Sequence, residues 1–205
     1  MITYEQKLSR DLAWALREGS MHFEKDSAVH KTLRSITRRL SDLRIPYAVV
    51  GSMAMFHHGY RRFTEDVDLL VTKDALEEIH TRLEGLGYLP PFTGSKQLRD
   101  TDTGVKVEFL VTGEYPGDGL PKPVSFPDPS TYSEIIDDLR VLSLSKLIEL
   151  KLASGISNPR RAKDLVDVQE LIERLDLREA LANELNPYVQ AKYREIWHVI
   201  HSNPA

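Results

Sequence analysis

The sequence predicts an α+β fold: a small mixed sheet with flanking helices, bracketed by helical N-terminal and C-terminal segments. Three observations carry this. Apolar residues recur at helical steps up to about residue 45. Between 47 and 111 lie short runs rich in β-branched and aromatic residues, bounded by glycine, proline and aspartate. From Ser143 onward the helical period returns.

The elements follow in order. Leu8, Leu12 and Leu16 place a first helix after Thr3, with a break expected around Gly19-Ser20. Leu33, Ile36, Leu40 and Leu43 mark the next helix, which Pro46 closes. Tyr47-Ala48-Val49-Val50 reads as a buried strand, and Met53 to His58 as a short helix stopped by Gly59. Val67 to Val71 is a second strand. Asp74 to Leu86, with Leu76, Ile79 and Leu83, is an amphipathic helix ended by Gly87. Asp102-Thr103-Gly104 turns into a third strand, Val105 to Val111.

Gly113 to Pro129 is rich in glycine and proline and reads as an irregular loop. A helix over about Ser143 to Ala153 follows. Another starts at Asn158-Pro159, where Asn caps and Pro suits the first helical position. A last one covers about Leu177 to Ile200, interrupted near Pro187. The acidic run Glu134 to Asp138 reads as a solvated loop or helix face. The expected organisation is residues 1–45 as helices packing on the core, 46–126 as the core, and 127–205 as a helical C-terminal subdomain.

Bulk properties narrow the function classes. The 205 residues fit one compact domain or a small core with a helical extension. The net charge of −4 argues against a generally basic nucleic-acid-binding surface. The absence of cysteine excludes disulfides, thiolate zinc sites and cysteine nucleophiles. Glu5, Lys7, Arg10 and Asp11 interrupt the N-terminus, which therefore lacks the apolar core of a signal peptide. No apolar run approaches membrane-spanning length, so the expected setting is cytoplasmic, with no membrane partner.

The chemistry concentrates in one stretch. On the strand from Asp66 to Val71, Val67, Leu69 and Val71 share one face, and Asp66, Asp68 and Leu70 the other. Two like charges side by side repel unless something positive lies between them, and a hard divalent cation takes oxygen ligands. A solvated strand edge is the plainer reading of the same pair. On the third strand Val105, Val107 and Phe109 face the core, so Glu108 points the other way. If the two strands are neighbours, Glu108 joins the carboxylate face; otherwise it is a cross-strand partner for a lysine or arginine.

Gly51-Ser52 ends the first strand and opens a helix. Glycine there lets a backbone amide approach an anion, and Ser52 adds a hydroxyl donor, although an ordinary cap reads the same way. In the C-terminal half, Lys151 falls inside the apolar stripe of Leu144, Leu147, Ile148 and Leu152. It therefore needs an anionic partner or a route to water: a bound phosphate, a salt bridge to Asp164 or Asp167, or snorkelling to the surface. His57 and His58 read as ordinary helix residues. Trp14 and Trp197 read as core or interface.

Gly51-Ser52, Arg62-x-Thr64-x-Asp66-x-Asp68 and Glu108 together resemble the DNA polymerase β-type nucleotidyltransferase superfamily. The closer resemblance is to AbiEii-like minimal nucleotidyltransferases, many of them toxins of toxin–antitoxin pairs. Downstream, Lys151-Leu152-Ala153 and Arg160-Arg161-Ala162-Lys163-Asp164-Leu165-Val166-Asp167 look like that group's second motif. The resemblance implies Asp66, Asp68 and Glu108 as ligands of Mg²⁺ or Mn²⁺. It implies Gly51 and Ser52 on triphosphate oxygens, Arg62 and Thr64 in support of the phosphate site, and Lys151 on the nucleotide. Asp164 would complete the site as a polar or catalytic group. One departure stands out: the third acidic position in relatives is usually aspartate, and here it is Glu108.

The implied reaction is two-metal transfer of a nucleoside monophosphate from an NTP to a hydroxyl. The acceptor would be a protein side chain, an RNA end or a small molecule, and a cognate antitoxin protein would be a partner. Arg34, Arg38, Arg39 and Arg44 are the candidates for an RNA groove. The alternative is a catalytically degenerate member of the same fold, serving as a nucleotide-binding or protein-interaction module.

Overall fold

The computed structural model describes residues 2–202. Its centre is a seven-stranded mixed sheet, with strands β1 (Tyr47–Val50), β2 (Asp66–Val71), β3 (Tyr88–Leu89), β4 (Gln97–Asp100), β5 (Lys106–Val111), β6 (Ser133–Ile136) and β7 (Leu139–Leu142). The spatial order is β3-β4-β5-β2-β1-β7-β6. Strand β2 runs antiparallel to β1 and parallel to β5. The inner strands are covered on both faces. All of β1 is buried, and in β2 Leu70 is as buried as Val67, Leu69 and Val71. Only Asp66 and Asp68, at the start of β2, reach partial exposure.

Helices α1 (Tyr4–Arg10), α2 (Leu12–Phe23) and α3 (Ala28–Asp42) precede the sheet. The break expected at Gly19-Ser20 lies elsewhere. Asp11 ends α1 and caps α2 by accepting from Trp14 N. After α2 the chain passes Lys25 at φ 61°, and Ser27 then caps α3. The interruption at Asp11 takes Leu12 and Leu16 off the face of Leu8, and both are exposed. Helix α3 does bury Leu33, Ile36 and Leu40.

Helix α4 (Gly51–His57) follows β1 directly, and α5 (Lys73–Leu83) links β2 to the outer hairpin. Helix α5 stops at Leu83, short of the expected Gly87, and leaves Leu86 exposed. Two pieces of sheet were not expected. Strands β3 and β4 extend the edge beyond β5. The β6–β7 hairpin contains the acidic run and lies within the segment read as helical. Its turn places Asp137 and Asp138 at positive φ, and β7 pairs in parallel with β1 through Val49 and Val141. The segment from Gly113 to Pro129 carries no strand, as expected.

The remaining helices are α6 (Leu144–Ser157), α7 (Ala162–Arg174) and α8 (Pro187–Ser202). Asn158 accepts from Arg160 N, and a 3₁₀ turn, Pro159–Arg161, leads into α7. A second 3₁₀ segment, Glu179–Glu184, precedes α8, which begins at Pro187. Helices α6 and α7 meet closely at Gly155, where a Cβ would stand 2.5 Å from the Leu165 side chain. Among the described residues no helix is long and apolar enough to cross a membrane.

Candidate active site

The parallel register of β2 and β5 places Asp66 beside Lys106 and Asp68 beside Glu108. Asp66, Asp68 and Glu108 therefore stand on one face. One oxygen of each lies within 4.8 Å of the others, the spacing of a cation ligand set. The donor chemistry fits a hard divalent ion: carboxylate oxygens, partly exposed, with no nitrogen or sulfur among them. Burial, together with the charges of Asp66 and Glu108, pushes the Asp68 carboxyl up to about 7. Thr64 Oγ1 donates to Asp66 Oδ1 at 2.9 Å, so the threonine orients that carboxylate directly.

Gly51 closes one side. Its φ is +61°, and a Cβ there would fall 1.9 Å from Asp68 Oδ2. The turn from β1 into α4 thus lies directly against the carboxylate, with Ser52 beside it at 9% exposure.

The opposite wall comes from α6 and α7. Lys151 Nζ donates to Asp164 Oδ1 at 3.1 Å and to Asp167 Oδ2 at 2.7 Å, all three groups being buried. Asp164 also accepts from Ser154 Oγ at 2.7 Å and Arg161 Nε at 2.9 Å. Burial would raise the Asp164 pKa; Lys151, the Ser154 hydroxyl and Arg161 outweigh it and hold the carboxyl below its usual range. Arg62 Nη2 donates to Asp167 Oδ2 at 3.2 Å. Its Nε lies 3.1 Å from Oδ1 with the N–H off the hydrogen-bond line, an ion pair without that hydrogen bond. Arg62 is thereby tied to the helical half, and His22 Nε2 donates to its carbonyl at 3.0 Å.

An open cleft of about 810 Å³ unites these walls. Every residue singled out above as a site candidate lines it: Gly51, Ser52, Arg62, Thr64, Asp66, Asp68, Glu108, Lys151 and Asp164. Two further residues belong to the cluster. Asp167 is the shared acceptor of Arg62 and Lys151. Lys106 Nζ sits 3.2 Å from Asp66 Oδ2 and 3.0 Å from Glu108 Oε2. Lys106 has the same strand parity as Glu108, a signal present in the sequence. The arginines considered for an RNA groove lie elsewhere. Arg34 binds the Lys25 carbonyl, and Arg39 stacks over Tyr88.

A family profile described as "Nucleotidyl transferase AbiEii toxin, Type IV TA system" matches residues 34–199. The chain belongs to the AbiEii nucleotidyltransferase family. No curated protein sequence matches it. Solved structures share the fold. A Thermotoga maritima protein assigned as a nucleotidyltransferase is 21% identical with a TM-score of 0.50, over 66% of this chain and 89% of that one. The antibiotic-resistance factor ANT(2″)-Ia is 14% identical with a TM-score of 0.54 in its solution structure, over 90% of this chain and 100% of that one. In its crystal complex with adenylyl-2″-tobramycin the TM-score is 0.52, over 82% and 97%. For this AbiEii-family chain the mixed sheet with flanking helices is thus the nucleotidyltransferase-like fold.

Proposed function

We propose that the cleft transfers a nucleoside monophosphate from an NTP to an acceptor hydroxyl. The observation that carries this reading is the convergence of Asp66, Asp68 and Glu108 within 4.8 Å, facing a wall of Lys151, Arg62 and Asp164. Asp66, Asp68 and Glu108 would hold Mg²⁺ or Mn²⁺, in a one- or two-ion arrangement. Such a cation supplies charge neutralisation at the phosphate and activation of the attacking hydroxyl. Glu108, longer by a methylene than aspartate, still brings an oxygen within 4.8 Å of Asp66 and Asp68.

The protein's own part is positioning and electrostatics. Thr64 fixes the rotamer of Asp66. The Gly51 turn lets the Asp68 carboxylate stand directly against the backbone and brings Ser52 to the rim. Lys151 is committed to Asp164 and Asp167, so its role toward the nucleotide is a fixed positive potential at the cleft wall. Asp164 and Asp167 hold that lysine, and Asp167, through Arg62, joins the helical half to the Arg62–Asp68 segment. The family description supports a toxin role with a cognate antitoxin partner. The acceptor is a protein hydroxyl, an RNA end or a small molecule.

A second reading has its own observation. The ammonium of Lys106 on Asp66 and Glu108 is what a degenerate, purely nucleotide-binding or protein-interaction member would show. One experiment separates them. The chain is incubated with each α-³²P-labelled NTP, Mg²⁺ and cell extract or RNA, beside the Asp66→Ala/Asp68→Ala variant. Label on an acceptor with the native chain alone supports transfer. Absence of label with every NTP, together with absence of Mg²⁺-dependent nucleotide binding, overturns it.

A further inference from the structure

The geometry assigns Lys106 as a displaceable counter-ion: its ammonium rests on Asp66 and Glu108 in the metal-free chain and leaves them when a divalent cation binds. This rests on the reading of Asp66, Asp68 and Glu108 as metal ligands. Three features point to it. Lys106 is the register partner of Asp66 and stands two residues before Glu108, so its side chain emerges on the carboxylate face. Its Nζ lies 3.2 Å and 3.0 Å from one oxygen of each, bridging two carboxylates that would otherwise repel. The ion pairs it forms do not include Asp68, so one ammonium leaves the set of three carboxylates undercompensated. A divalent ion brings twice the charge and reaches all three.

The side chain has somewhere to go. Lys106 lines the cleft and its side chain keeps 24% of its surface exposed. Its flexible four-carbon stem lets the ammonium swing into the open cleft without moving β5. There it stays a mobile positive charge beside the carboxylates. The metal-free site is thus folded and partly neutralised by the chain itself, and cation entry is an exchange of one cation for another.

Two measurements test this on the full chain without nucleotide. In the first, Mn²⁺ affinity is measured by electron paramagnetic resonance for the native chain, Lys106→Met and Lys106→Arg, each verified as folded by circular dichroism. Lys106→Met is expected to bind about tenfold more tightly, the scale of removing one unit charge some 4–5 Å from a divalent ion in a wet site. Lys106→Arg, which keeps the charge, is expected to show no such gain. In the second, an amine-acylating reagent is applied with and without Mn²⁺ and Lys106 is followed by peptide mass spectrometry. Saturating Mn²⁺ is expected to speed its acylation. Unchanged or weaker affinity in folded Lys106→Met, or acylation of Lys106 that Mn²⁺ leaves unchanged or slows, overturns the assignment and leaves the metal site standing. Absence of Mn²⁺ binding in both native chain and Lys106→Met overturns the metal site and the assignment together.

Discussion

Asp68 Oδ2 occupies the space where a side chain on Gly51 would begin, 1.9 Å from an ideal Cβ. The glycine is fixed twice over, by this approach and by its φ of +61°. Gly51→Ala is therefore expected to lower stability by roughly 2–4 kcal/mol, combining a left-handed backbone penalty with a displaced carboxylate. Urea unfolding checks the magnitude. Mn²⁺ binding in the folded fraction should fall as well, because Asp68 must rotate away.

The Lys151 network makes a second prediction. Removing the ammonium with Lys151→Met takes one cation from both buried carboxylates and leaves Asp164 with Arg161 and Asp167 with Arg62, a loss of about 3 kcal/mol. Adding Asp164→Asn and Asp167→Asn strips those two arginines of their partners. The triple variant should then be less stable than Lys151→Met alone. Denaturant melts of both settle it; a triple variant at least as stable would mean that the arginines do not share in neutralising these carboxylates.

Asp68 provides a pH signature. Its carboxyl is raised from 3.8 to about 7, so the folded state holds this proton more tightly than the unfolded state does. The associated stability is full below pH 3.8 and is lost as the pH rises through about 7. In metal-free buffer, Asp68→Asn is expected to be more stable than the native chain at pH 8, on the order of 2 kcal/mol. The gain should vanish at low pH. The same variant should lose divalent-cation affinity, an opposition of stability and function common at such sites.

His30 works with the opposite sign. Burial, with help from neighbouring His22, His57, Arg34 and Lys25, depresses it from 6.5 to about 3. Its Nδ1 meets Ser27 Oγ at 3.1 Å, and its buried Nε2 has no partner among the described residues. Below pH 6.5 the unfolded chain gains a proton that the folded chain refuses. Stability should then fall by about 1.4 kcal/mol per pH unit from this group until about pH 3. His30→Leu should flatten that part of a thermal-melt pH series. An unaltered slope would sink the assignment to His30.

Much of the site was legible because strand parity and core-facing alternation coincide on β2 and β5. Val67 and Leu69 on one strand, and Val107 and Phe109 on the other, orient Asp66, Asp68 and Glu108 once the strands are neighbours. Lys151 was legible as a misplaced charge, although its partners proved to be Asp164 and Asp167 together. The β6–β7 hairpin was hidden because its turn is built from two aspartates at positive φ, whose charge masks the strand pattern around them. His57 and His58 end α4 against that hairpin, His57 Nδ1 at 3.0 Å from Asp137 Oδ2 and His58 Nε2 donating to the Leu142 carbonyl at 2.8 Å. Strands β3 and β4 are too short to show alternation. Lys106 shares the parity of Glu108, but a lysine on a strand reads equally well as a solvated cation, so alternation alone does not mark it as a partner of the carboxylates.

The parallel pairing of β2 with β5 also has a temporal consequence. Parallel neighbours cannot be joined by a tight turn, so Asp68 waits for α5, β3 and β4 to be made before Glu108 can reach it. Lys151 and Asp167 arrive later still. On a translating ribosome the growing chain would carry Asp66 and Asp68 for an interval with no opposing wall, and the cleft would form only once α7 has emerged. The complete carboxylate face with its opposing wall therefore belongs to the finished chain alone, by the order of its own strands.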